Sequence, residues 1–425
     1  MSAIPSVISD DLRDRVLGIA EETLRGNWID GDRSDVHYGY SRPSPGHYPW
    51  QWYWDSCFHA IVWRRFDRSR AESELRSLLV GGSEDGFIGH TIFWHDHVDW
   101  QRRWTYNVAS RDALNTSTIQ PPLLAWAWRI AVGDPNDEPR IAAHHRWLQA
   151  NRDIDGDGLL WICQPDESGL DSSPKFDPVW GLRAHARPLF PFLIARNRRL
   201  EWDARRILEA GGPLLCEVVT NVLWCLARLS AGESSITPAI VERLWDERRG
   251  LFLDVARGKL AHRELTEEAG GDRRLRTSTW SALAPLALPD LPEAIAQRLV
   301  EEHLLDPRRY WLPFPPTSVS AQEPTFEPRK WKGFLRRRYW RGPTWINSAW
   351  LIWMGLLRLG HDPEAMEMSK RLAAAVASER LCEFYEPNFG DGLGAREFGW
   401  SSLIAELADP DPGAAASYLG EASSA

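Results

Sequence analysis

The segment Gly342-Pro343-Thr344-Trp345-Ile346-Asn347-Ser348-Ala349-Trp350-Leu351-Ile352-Trp353-Met354-Gly355-Leu356 opens on loop residues and then turns apolar on every side. A helix without a polar face must be buried all round. The lead-in marks its start, because Pro is tolerated where the first N–H groups lack partners anyway and a Ser or Thr can cap them. The same two-part phrase recurs: Trp54-Asp55-Ser56 into 57–65, Gln120-Pro121-Pro122 into 123–131, Glu217 to Asn221 into 222–229, Thr277-Ser278-Thr279 into 280–287, and Gly399-Trp400-Ser401 into 402–408. The starts lie roughly 55 to 100 residues apart, room each time for a loop and a second, amphipathic helix. Candidates for that second helix are 67–80, 137–150, 236–247, 291–304 and 362–379, after a first helix with Leu12, Val16, Ile19, Ala20 and Leu24 on one face.

Six apolar inner helices alternating with amphipathic outer ones predict an all-α chain, an (α/α)6 barrel with all six polar starts at one mouth. Strand signals are scarce. No Pro/Gly/Ser-rich linker divides the chain at its middle, so one domain over 1–425, with mobile mouth loops near 40–55 and 315–340, is preferred to two consecutive bundles. The tail beyond Asp409 reads as frayed.

Hydrophobic residues at 43% and charged residues at 26% exclude disordered and fibrous classes. The formal charge of -9 is the wrong sign for a duplex-binding protein, and no nucleic-acid partner is expected. Trp is the outlier: 24, against 9 Tyr and 14 Phe. Indole faces suit the C–H patches of a sugar, stacked bases, or a large core, and the negative charge favours sugar over bases. The cysteines Cys57, Cys163, Cys216, Cys225 and Cys382 have neither disulfide-framework nor zinc spacing, which points to a reducing compartment. With no secretory h-region and no membrane-length apolar run, the expectation is a cytoplasmic protein without a membrane partner. A homo-oligomer stays open.

Three segments dense in aromatics, Gly, Pro and carboxylates interrupt the helices. The first is Tyr48-Pro49-Trp50-Gln51-Trp52-Tyr53-Trp54-Asp55, an aromatic wall ending in a carboxylate, as a pyranose site needs. The second is Glu167-Ser168-Gly169-Leu170-Asp171-Ser172-Ser173-Pro174, and the third runs from Glu383 through Glu386 to Gly392, followed by Phe398-Gly399-Trp400. Cleaving a glycosidic bond takes one acid to protonate the leaving oxygen and one carboxylate to activate water or attack carbon. Segments two and three could each supply one, but Asp177, Glu383, Asp391 and Glu397 compete for the same roles.

The chain resembles glycoside hydrolase family 63, in particular its bacterial mannosylglycerate and glucosylglycerate hydrolases, and more distantly the trehalases. The resemblance rests on Trp52-Tyr53-Trp54-Asp55-Ser56, Gly86-Phe87-Ile88-Gly89-His90, Gln120-Pro121-Pro122, Ser168-Gly169-Leu170-Asp171, Tyr310-Trp311-Leu312-Pro313, Tyr339-Trp340-Arg341-Gly342-Pro343-Thr344-Trp345 and Phe384-Tyr385-Glu386-Pro387-Asn388, in order along the chain. It implies that Asp171 is the general acid and Glu386 the general base of an inverting hydrolase, their carboxyl groups roughly 6.5–9.5 Å apart to admit water. It also implies that Tyr48, Trp52, Trp54 and Asp55 line the sugar subsite, with His90, Gln120, Trp340, Trp345 and Trp400 as further substrate-binding candidates. Arg341 is the candidate partner for a glycerate carboxylate, a guanidinium being suited to bidentate pairing; its alternative is a structural ion pair with a loop acid.

No cofactor or metal is implied. Asp153-Ile154-Asp155-Gly156-Asp157-Gly158 begins like a calcium loop, yet Gln164 stands where the bidentate Glu belongs, so a turn is expected. His95-Asp96-His97 lacks a third ligand. The basic island Arg329-Lys330-Trp331-Lys332 with Arg336-Arg337-Arg338 reads as a solvated loop, or as a lid that draws in an anion. Two rival functions remain: an α-glucosidase or trehalase-like hydrolase of a neutral disaccharide, and a non-catalytic carbohydrate-binding protein.

Overall fold

The computed structural model describes residues 8–95, 114–181, 190–328, 339–410 and 418. His97 and the basic island 329–338, which falls within the mouth loop read at 315–340, lie outside the described residues.

The chain is mostly helical. Its inner helices are Tyr53–Phe66, Leu124–Ala131, Val218–Ser230, the 3₁₀ helix Trp280–Ala287, Ile346–Arg358, and the 3₁₀ turn Gly399–Leu403 running into Ile404–Ala408. Each packs on the next in that order, and Gly399–Leu403 packs back on Tyr53–Phe66. The amphipathic partners stand outside: Asp362–Glu379, for example, buries Ala365, Met368, Ser369, Leu372, Ala373 and Val376 at helical spacing. The first helix, Asp10–Asn27, is capped by the Ser9 hydroxyl and buries Val16, Ile19, Ala20 and Leu24, packing on Asp362–Glu379 and Gly399–Leu403.

Several expectations are corrected. Ser and Thr do not cap the inner helices: Trp52, Leu123, Thr279, Trp345 and Phe398 occupy the cap positions without a side-chain cap bond, and the carboxylate of Glu217 caps Val218–Ser230. The exposed ends of these helices are instead met by other segments, as when the Trp54 N–H donates to Gln120 Oε1 at 3.0 Å. The fourth inner helix is 3₁₀ and holds Pro285, which has no N–H to give to the backbone ladder. The outer helix read at 291–304 is α only over Glu293–Arg298 and continues as a π-helix, Leu299–Leu304.

The all-α reading also gives way to short strands. A five-stranded sheet joins Glu267–Ala269, Asp272–Arg274, Val255–Arg257, Leu214–Cys216 and Trp161–Ile162, and the hairpin Cys382–Tyr385 with Gly392–Arg396 stands apart. Strands of two to five residues are too short for an alternating pattern to register in sequence; the hairpin Trp28–Arg33 with Val36–Ser41, six residues a strand, is the longer exception.

Much of the Trp excess serves the core: Trp63, Trp126, Trp161, Trp224, Trp280, Trp340, Trp345 and Trp350 are almost fully buried. Each such side chain stabilises the fold by about 1.5–3 kcal/mol.

Candidate active site

Segments in front of the inner helices form the site. The stretch 40–55 is tied down: Tyr48 N donates to Ser44 O at 2.7 Å, Gly399 N to Pro43 O at 2.7 Å, and Tyr53 N to His90 O at 3.0 Å. The Asp171 loop lies over two helix starts. At one, Gly169 rests on the Trp54 ring. At the other, Lys175 pairs with Glu217, with Asp254 at 2.9 Å and with the Ser281 hydroxyl at 2.9 Å. The left-handed residues Gly169 (φ 69°) and Ser172 (φ 56°) turn the chain on either side of Asp171. Upstream, the buried Glu167 carboxylate takes Arg152, Cys163 N at 2.7 Å and Ile119 N at 3.2 Å, which ties the loop to the residue before Gln120.

A small cavity of about 30 Å³ opens there, lined by Tyr48, Trp52, Trp54, Asp55, His90, Gln120, Asp171 and Trp400 from among the sequence candidates, together with Pro43, Gly169, Tyr339 and Phe398. The rings meet edge to face: Trp54 and Trp400 at 5.0 Å, Tyr48 and Trp52 at 5.5 Å, Trp52 and His90 at 4.9 Å. Such pairs fix ring orientation and add about 0.5–1.5 kcal/mol each beyond burial. Gln120 gives its carbonyl oxygen to Trp54 N, which leaves the NH2 for the cavity. Burial pushes the Asp55 carboxyl well above the usual carboxylate range, with Glu383 and Glu74 adding to the effect.

Trp340, Trp345, Arg341 and Glu386 are not among the lining residues. Trp340 and Trp345 stack on each other with centroids 3.8 Å apart, behind Trp54 and Trp400. Arg341, read from sequence as a substrate-carboxylate partner, places Nη2 2.7 and 2.8 Å from the two oxygens of buried Asp177, the ion pair named as its alternative. Glu386 follows the strand Cys382–Tyr385, whose last residue exchanges both backbone bonds with Thr344 at the start of Ile346–Arg358. Its carboxylate accepts from Asn388 N at 2.8 Å, Phe389 N at 2.7 Å and Asn388 Nδ2 at 2.8 Å. The loop that carries Asp171 thus touches the start of Tyr53–Phe66 through Gly169, and the strand before Glu386 touches the start of Ile346–Arg358 through Tyr385.

Tyr339 lies inside a quoted motif but is not singled out there as a site candidate, and its place in the cavity wall marks it. Glu383, left in sequence as one of several competing acids, is set apart by accepting from the Tyr339 and Tyr48 hydroxyls. Away from the site, Asp155 and Asp157 of the calcium-like turn pair with Arg243 at 3.0 and 2.7 Å, and Asp155 also with Arg257. Among the described residues no group of three or more His, Cys, Asp or Glu could hold a metal, and no helix is long and apolar enough to cross a membrane.

Residues 48–401 match the family described as the mannosylglycerate hydrolase MGH1-like glycoside hydrolase domain. The chain belongs to this glycoside hydrolase family. Among MGH1-like relatives, the mannosylglycerate hydrolase of Thermus thermophilus is 29% identical over 420 residues, covering 85% of this chain and 95% of that protein. The glucosylglycerate hydrolase of Mycolicibacterium hassiacum is 24% identical, covering 84% and 90%. The crystal structure of a family 63 mannosylglycerate hydrolase from Thermus thermophilus in complex with Tris superposes with a TM-score of 0.71 at 25% identity, covering 93% of this chain and 99% of that one. The MGH1-like match begins at Tyr48 and ends at Ser401, so it takes in every segment that walls the cavity except Pro43.

Proposed function

We propose that this glycoside hydrolase cleaves mannosylglycerate or glucosylglycerate by single displacement, at the mouth of an (α/α)6 barrel formed by one domain. The carrying observation is Asp171 on the wall of an indole- and tyrosine-lined cavity, within a chain matched to MGH1-like hydrolases along nearly its whole length. Contacts between successive inner helices, and from the last to the first, support the barrel. Asp171 protonates the glycosidic oxygen, so that glycerate leaves with its hydroxyl restored. Glu386 takes a proton from the water that attacks the anomeric carbon from the opposite face. Five unpaired, buried cysteines favour a cytoplasmic setting.

One observation favours the neutral-disaccharide reading: among the described residues the cavity has no Lys or Arg in its wall, and Arg341 is paired with Asp177. Anomer-resolved NMR on a panel of both glycosylglycerates and neutral α-disaccharides tests the proposal. The expected result is release of the β-sugar first from a glycosylglycerate. Release of the α-sugar first would overturn inversion, and turnover of neutral disaccharides alone would overturn the substrate. Sugar binding without any turnover would establish the non-catalytic alternative.

A further inference from the structure

The register of the five-stranded sheet sets two carboxylates side by side. Leu214–Cys216 and Val255–Arg257 run antiparallel with Cys216 opposite Val255, and the next residue on each chain beyond that pair is an acid, Glu217 and Asp254. Both are buried, and like charges opposed across a strand pair are destabilising. Each gives one oxygen to a helix start: Glu217 Oε2 accepts Thr220 N at 2.6 Å, and Asp254 Oδ1 accepts Val218 N at 2.8 Å. Lys175 reaches the other two oxygens. Its ammonium pairs with Glu217 Oε1 and, at 2.9 Å, with Asp254 Oδ2, and it donates at 2.9 Å to the Ser281 hydroxyl in Trp280–Ala287. An ammonium has three protons, and all three are used. Burial lowers the Lys175 pKa, yet the Asp254 and Glu217 charges outweigh it and hold the group above its ordinary range, so it stays charged.

Lys175 comes from the loop of Asp171, four positions further on. Between them the chain has little freedom: Ser172 is left-handed (φ 56°), Ser173 N donates to Leu170 O at 3.0 Å, and the Pro174 ring fixes its own φ. Asp171 lines the cavity, and the direction its carboxyl takes there follows from the backbone that carries it. A buried ion pair adds little net stability over apolar packing of the same shape. What this one supplies is a single position, since one placement of the ammonium satisfies three acceptors. We propose that Lys175 is a positioning residue for the proton donor: by seating between the two carboxylates at the sheet end, it fixes the turn that aims Asp171 at the glycosidic oxygen. This rests on the proposed role of Asp171 as the acid and names what holds that acid in place.

Lys175→Met tests it. Without the ammonium, Glu217 and Asp254 repel and the loop loses its seat. A misplaced acid slows a step that needs its proton, so kcat on an O-glycoside substrate should fall about tenfold or more while KM stays nearly unchanged. An α-glycosyl fluoride, whose leaving group needs no proton, should lose less than about threefold. In an Asp171→Asn background, Lys175→Met should change O-glycoside turnover by less than about twofold, because it acts through Asp171. Equal losses on the two substrates, a full loss in the Asp171→Asn background, or no loss in the native one would overturn the proposal.

Ser281→Ala decides the matter where Lys175→Met does not fold, because it removes the neutral acceptor and leaves both ion pairs. The ratio of fluoride to O-glycoside turnover should rise about two- to threefold, the scale of one lost hydrogen bond; an unchanged ratio would overturn the proposal. Asp171→Asn alone separates this proposal from the reading beneath it. Full O-glycoside turnover by that variant would remove the acid assignment and the proposal together, whereas collapsed turnover there beside an unaffected Lys175→Met would remove the positioning role alone.

Discussion

Gly169 lies against the indole of Trp54 so closely that a β-carbon at that position would come within 2.5 Å of the ring. Two residues on, Asp171 faces the cavity that Trp54 also lines. The contact therefore sets the height of the proposed acid above the sugar platform.

Gly169→Ala should separate binding from chemistry. The added carbon, at a left-handed position that L residues resist, must push the loop off the ring. Displacement by about 1 Å costs on the order of a hundredfold in rate, so kcat should fall by tenfold or more while the melting temperature moves little. An unchanged kcat would show that the loop's height does not matter.

The two carboxylates should differ in their response to the leaving group. Asp171→Asn and Glu386→Gln are each expected to lower turnover of a glycosylglycerate by about 10²–10⁴. A glycosyl fluoride, whose leaving group needs no proton, should restore much of the Asp171→Asn loss and none of the Glu386→Gln loss. Equal behaviour of the two variants in steady-state kinetics would exclude this division of roles.

Arg341 and Asp177 form a buried pair with little solvent contact. Removing one member strands the other's charge, so Asp177→Asn should cost about 3–5 kcal/mol of stability in urea unfolding. Arg341→Lys should impair glycosylglycerate and neutral disaccharide turnover alike. A loss confined to the anionic substrate would return Arg341 to the role first read from its motif.

His144 predicts an acid-labile part of the fold. Its Nε2 meets the Tyr53 hydroxyl at 3.0 Å and its Nδ1 the Gly86 carbonyl at 2.9 Å, an arrangement that suits the neutral ring. Burial lowers its pKa to about 3 from 6.5. Between these values the unfolded chain binds a proton that the folded one refuses. The contribution is therefore complete above about pH 6.5 and is lost as pH falls toward 3, at up to about 1.4 kcal/mol per pH unit. The gap in melting temperature between native protein and His144→Gln should narrow from pH 7 to pH 5; a constant gap would assign the acid lability to other groups.

The inner helices were legible because burial on all sides leaves an unmistakable run of apolar residues, as at Ile346–Arg358, and outer helices such as Asp362–Glu379 because one-sided burial leaves a 3.6 period. The short strands left no such trace. Neither did the caps, since Glu217 was the only carboxylate to take a role that Ser and Thr usually fill at these helix starts.

By itself the sequence determined the helical plan, the aromatic wall from Tyr48 to Asp55 and the family of the chain, all of which are written in contiguous residues. Only the tertiary structure decided that Arg341 belongs to Asp177, that Trp340 and Trp345 stand behind the wall, and that Glu383 binds Tyr48 and Tyr339 across 335 and 44 positions. Such pairings are settled by desolvation and hydrogen-bond geometry between segments that are remote along the chain. A carboxylate's partner is whatever donor the fold places within about 3 Å of it, and no local pattern encodes that.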